Sequence, residues 1–134
     1  MLWNSNYEIG NTQVDTEHKE IFGMVDKLLT DDFKGRSDKI KSTIDFLAGY
    51  VQRHFTHEED LMKESEYPHM AVHVKQHQAF FKTVGELVQR IDGNLDSIDL
   101  GLEVNKVIVE WLAEHVMGSD KVMVDYYKGW KTKQ

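Results

Sequence analysis

Five histidines and two acids in this chain share a spacing that could hold metal ions. Ile40, Ile44, Leu47 and Val51 step by four, three and four, which marks one line along a helix. At about 100° per residue, His54 and Glu58 continue that line to within roughly 40° of its centre. The run HFTHEE (54–59) therefore divides. His57 falls roughly 100° to one side and Glu59 roughly 100° to the other, while Asp60 faces away, so these three and the more distant His69 are expected in solvent. A second line, Phe80, Val84, Leu87 and Ile91, extends backwards through His77 and His73 to Met70. His115 follows Leu112 by three, and His18 precedes Ile21 by three. Any one of these histidines alone reads as a hydrogen-bonded core residue. All of them on inward lines, together with a carboxylate, read as ligands, because an ionised carboxylate in a core is expensive unless paired or metal-bound. Imidazole nitrogen and carboxylate oxygen suit iron, and also zinc, copper, nickel or manganese. Five imidazoles exceed the needs of one tetrahedral zinc, so two metals bridged by carboxylate fit the count better. Asp120, five residues after His115, is the natural second bridge, although a helix break is expected before it at Gly118-Ser119.

The elements that must position these groups are long helices. One proline in 134 residues, with glycine and aspartate clustered at a few points, predicts four of them. The first is expected from an N-cap at Asp15 to about Asp32, ended by DDFKGRS. The second should run from a cap at Ser37 to about Glu64. Pro68 fits the first turn of the third, which should end at DGN (92–94). Asp96 or Ser97 can cap the fourth, with Ile98, Leu102, Ile108 and Leu112 along one side, followed by a short C-terminal helix to about Trp130. The expected fold is all-α: an antiparallel up-down-up-down four-helix bundle with an N-terminal extended segment. It forms one domain over residues 1–134. In that topology the end of helix two, the start of helix three, the end of helix four and the start of helix one lie at one level. All the inward polar residues then meet there.

Composition narrows the function. The net charge of −7 at pH 7 disfavours nucleic acid and anionic lipid as partners. No cysteine is present, so thiolate sites and disulfides are excluded, which fits the cytoplasm. No run approaches the roughly 20 apolar residues of a membrane span.

The pieces DTEH (15–18), HFTHEE (54–59), HVKQH (73–77) and WLAEHVMGSD (111–120), in that order, resemble the hemerythrin family, specifically its bacterial hemerythrin-like domains. LWN at 2–4 is similar as well. His69, after Tyr67-Pro68, departs from the acidic residue common there in the family. The resemblance implies a non-haem di-iron centre with an oxo or hydroxo bridge. One iron would be held by His73, His77 and His115, the other by His18 and His54, with Glu58 and Asp120 bridging. The iron with two histidines would keep an open position for O2 or another small diatomic or anionic ligand. Ile21, Phe55, Met62, Trp111 and Leu112 would wall that position, although plain core is the simpler reading of Phe55 and Trp111. A reversible O2 carrier, store or sensor, not an enzyme, is the leading expectation. A di-iron oxidase, peroxidase or NO-handling enzyme is a rival. A sensory module read by a partner is another, and a structural zinc or manganese site is the weakest.

Overall fold

The computed structural model describes residues 3–30, 37–94 and 103–134, without the side chains of residues 30, 37–39, 92–94 and 105. Four long helices carry the chain: α1, Thr12–Thr30; α2, Ser37–Glu64; α3, Met70–Asn94; and α4, residues 103–132. Before them, an extended N-terminal stretch makes a single 3-10 turn at Ser5–Tyr7. Helix α1 packs on α2, α2 on α3, and both α3 and α1 touch the early turns of α4. This is the all-α antiparallel bundle that the spacing predicts. Among the described residues, no helix is long and apolar enough to cross a membrane.

Each helix buries a stripe at steps of three and four. The stripes are Val14, His18, Ile21, Val25 and Leu28 on α1; Ile40 to Val51, then His54 and Glu58, on α2; and His73, His77, Phe80, Val84, Leu87 and Ile91 on α3. On α4 the stripe is Val104, Ile108, Leu112 and His115. One half of the interior is therefore purely apolar. Burying each Leu, Ile or Phe there contributes about 1.5–3 kcal/mol, which sustains the fold while the other half takes in polar groups.

Some helix ends differ from the expected ones. Helix α1 starts at Thr12 because Asn11 is its cap: Asn11 Oδ1 accepts from Val14 N at 3.1 Å. Asp15 instead reaches back to the amides of Ile9 and Gly10, at 2.8 and 3.2 Å, and ties the N-terminal stretch to the helix. Pro68 lies in the turn before α3, not in its first helical turn. That turn is a Schellman closure of α2. Tyr67 N bonds Met62 O at 2.9 Å, Glu66 N bonds Lys63 O at 3.3 Å, and Glu66 takes the left-handed conformation at φ 53°. It folds α3 back so that His73 and His77 face His54 and Glu58. The caps proposed at Asp96 and Ser97, with Ile98 and Leu102, lie outside the described residues.

The expected break at Gly118-Ser119 does not occur. Residues 103–132 form one continuous helix, with π-helical turns at Asn105–Val109 and Val116–Asp120. His115, Asp120 and Lys121 all keep right-handed helical backbone angles. The chain widens one turn instead of stopping, so the C-terminal segment Lys121–Thr132 continues α4 directly.

Candidate metal centre

The widened turn settles the placement of Asp120. On an α-helix, residues five apart diverge by about 140°. A π turn closes its hydrogen bond over five residues and brings them to one side. His115 Nε2 and Asp120 Oδ1 are accordingly 3.0 Å apart, and both residues are buried.

His18, His54, Glu58, His73, His77, His115 and Asp120 converge at one level, and all are buried. The two carboxylates divide their oxygens between two sets of histidines. Glu58 Oε1 lies 3.0 Å from His77 Nε2 and 3.2 Å from His73 Nε2, while Oε2 lies 2.9 Å from His54 Nε2 and 3.5 Å from His18 Nε2. Asp120 turns Oδ1 to His73 and His115 and Oδ2 to His18, each at 3.0 Å. The result is one group of five donors and one of four, sharing both acids.

Within the cluster, hydrogen-bond contacts join Glu58 Oε1 to His73 and His77, and His77 to His115, but most of the other inward atoms lack one. His18 Nε2, His54 Nε2, Glu58 Oε2 and both Asp120 oxygens are buried with no hydrogen-bond partner. Their lone pairs converge on a point between them, and polar atoms held this way cost free energy unless a cation completes them. Donors about 3.0 Å apart span the edge of an octahedron with bonds of about 2.1 Å, an ordinary metal–nitrogen length. The donor set fits metal ions.

Acids outside the seven hold the rings in register. His54 Nδ1–H donates to Glu17 Oε1 at 2.9 Å, and His77 Nδ1–H donates to Glu59 Oε2 at 3.0 Å. Because a carboxylate only accepts, each bond puts the proton on Nδ1 and leaves the Nε2 lone pair facing the centre. Glu17 Oε2 also accepts from His57 Nδ1 at 2.5 Å. This corrects the expectation for Glu59 and His57: both sit at the flanks, but neither merely faces water. His57 is 43% exposed yet anchored to Glu17. His69 is exposed as expected. Stacking also holds His77, under Phe55 at 3.7 Å, and fixes one more ring, His115, under Trp111 at 4.6 Å. Replacing Glu17 with glutamine should weaken metal binding by about 10–100-fold, mainly in the four-donor group. Glu17 gives one oxygen to His54 and the other to His57, and glutamine replaces one of those acceptors with an NH2 donor. Competition titration against a chelator measures the loss, and unchanged affinity would refute the orienting role.

Electrostatics without metal favour bound protons. Burial opposes charge on His54, but Glu58, Glu17 and Asp120 outweigh it and raise its pKa to about 10. Burial likewise opposes charge on His115, and Asp120 and Glu58 raise it to about 9. His18 and His73 move upward against burial for the same reason. Glu58, fully buried, is held well below the carboxylate range because His54, His115 and His18 outweigh its burial. Metal needs neutral imidazole, so at pH 7 it must displace protons from His54 and His115. Affinity should therefore rise with pH up to about 10, by about tenfold per unit for each proton displaced. Chelator competition between pH 6 and 8 checks this, and a flat profile would contradict it.

An apolar recess borders the four-donor group. Ile21, Phe22, Phe55, Leu112 and Val116 line it beside His18 and His54, and it is too tight for a water-sized sphere. Of the five residues expected to wall an open position, Ile21, Phe55 and Leu112 line this recess. Met62 and Trp111 do not line this recess: Met62 is buried elsewhere, and Trp111 covers the opposite side of His115. Phe22 and Val116, outside the expected wall, line it too. Each is the sequence neighbour of a stripe residue, Ile21 or His115, and that adjacency was the available signal.

Residues 10–127 match the family described as Hemerythrin HHE cation binding domain. The chain is 30% identical to a protein named bacteriohemerythrin from Stenotrophomonas maltophilia, over 96% of this chain and 82% of that one. It is also 30% identical to a bacteriohemerythrin from Clostridium acetobutylicum, over 92% and 98% of the two chains. A myohemerythrin from Theromyzon tessulatum is 29% identical over 88% and 86%. No solved structure matches the chain.

Proposed function

The chain belongs to the hemerythrin family, and on that premise we propose that it binds O2 reversibly at a pair of iron ions. His73, His77 and His115 hold one iron and His18 and His54 the other, with Glu58 and Asp120 between them. One observation carries this reading: each acid turns one oxygen to each histidine set, and His18 Nε2, His54 Nε2, Glu58 Oε2 and both Asp120 oxygens are buried with no hydrogen-bond partner. Ferrous iron, when bound, supplies the electrons that hold O2.

The protein's own residues do the rest. The four-donor group has one protein donor fewer than the other, and the tight apolar recess lies beside it. A small diatomic molecule is the ligand class suited to that place once its side chains give way, because Ile21, Phe22, Phe55, Leu112 and Val116 offer it no hydrogen bond. The same residues exclude bulk water and keep charge from leaving the centre, which favours binding over turnover. Glu17 and Glu59 keep His54 and His77 in the ligating tautomer throughout. Anaerobic, ferrous-loaded protein should take up one O2 for each pair of irons and return it on degassing. Continuous O2 consumption with excess reductant would overturn the reading in favour of an enzyme.

A further inference from the structure

The two sides of the centre differ in access. The recess between α1, α2 and α4 is closed: it admits no water, and Glu17 with His57 covers His54. The α3–α4 side is open. A polar cleft of about 230 Å³, lined by Gln76, Trp111, Glu114 and Ser119, ends on His115. A neighbouring cleft of about 330 Å³ shares Gln76 and Ser119 and ends on His73. At about 30 Å³ per water, either has room for a partly hydrated cation. His115 is also the most exposed of the seven inward residues, at 5%. The widened turn Val116–Asp120 and its small residues make this opening, since a Cβ on Gly118 would meet nothing within 4 Å. At the mouth, Glu114 is exposed, and farther in the Gln76 amide oxygen is buried with no hydrogen-bond partner.

We propose that Fe2+ reaches and leaves the centre through this α3–α4 cleft, with Glu114, Ser119 and the Gln76 amide oxygen as its first protein donors. The route rests on the metal-binding reading above. Glu114 concentrates the cation at the mouth. Gln76 and Ser119 replace its waters before His115 and His73 take it. The metal route is thus separate from the apolar recess, although His115 borders both.

The test follows ferrous uptake by metal-free protein, and release from iron-loaded protein to a chelator, by stopped-flow absorbance, with bound metal counted separately. Ser119→Phe fills both clefts and should slow uptake and release about tenfold, an added barrier of about 1.4 kcal/mol, with final metal content unchanged. Glu114→Gln should slow uptake about threefold or more at low salt by removing the focusing charge. Wild-type rates in both variants overturn the route. If Ser119→Phe fails to fold or to bind metal, Glu114→Gln decides alone: slowed uptake supports the route and an unchanged rate overturns it. Wild-type protein that takes up no metal would remove the centre itself and the route with it.

Discussion

Replacing Glu58 with alanine is expected to empty both metal positions at once, whereas replacing one histidine should disturb mainly its own. Glu58 is fully buried and serves both groups: Oε1 faces His73 and His77, and Oε2 faces His54 and His18. Losing an orienting contact costs about 10–100-fold in affinity, so losing a shared ligand should exceed 100-fold in each group. Its removal also leaves imidazoles facing one another without the negative charge that offsets them. His54→Ala touches the four-donor group alone and should leave the five-donor group loaded. Elemental analysis of the purified variants reads the outcome. Glu58→Ala should retain little metal, with His54→Ala between it and the wild type. Full metal content in Glu58→Ala would show that the acid is not shared.

Stripping the metal should lower the melting temperature by on the order of 25–40 °C at pH 7. A ligand held at about 1,000 times its Kd stabilises the native state by about 4 kcal/mol, so two positions give about 8 kcal/mol. For a chain near this length, each kcal/mol moves the melting temperature by about 3–5 °C. The large effect has a local origin. Two ionised acids and a crowd of imidazoles share a dry end of the bundle, and without metal the imidazoles that take up protons there keep several charges buried at one level. The apolar half, from Ile40 to Val51 and Phe80 to Ile91, should keep the metal-free chain helical at low temperature. Circular dichroism melts of loaded and chelated protein measure the difference. A shift of only a few degrees would mean that the polar end needs no cation.

The inward stripes were legible because a bundle core imposes steps of three and four, and a histidine or acid on that beat has nowhere else to point. His18, His54, Glu58, His73, His77 and His115 all fall on it, and the single-level meeting follows from up-down topology. What periodicity could not show arises where the helix departs from 3.6 residues per turn or where a flank residue reaches across. Asp120 joins its group through the π turn after His115, a widening that Gly118 and Ser119 disguised as a break. Glu17, Glu59 and His57 sit about 100° from their stripes, where α-helical spacing assigns them to water. In the bundle those flanks face a neighbouring helix, and an acid beside an inward residue meets the Nδ1 of the opposite imidazole. A flanking carboxylate adjacent in sequence to an inward ligand, as in Glu17-His18 and Glu58-Glu59, was the signal available. Exchange of Met62 and Trp111 for Phe22 and Val116 beside the recess has a similar cause, because the side of a stripe on which a cavity forms depends on packing against the next helix.

The most direct test of reversible binding is the visible spectrum of iron-loaded, reduced protein carried through one cycle of O2 addition and removal. The predicted result is a charge-transfer band that appears with O2 and vanishes on degassing, in protein carrying one iron for each donor group. Oxidation of the iron without such a band, or a band that degassing does not reverse, would contradict it.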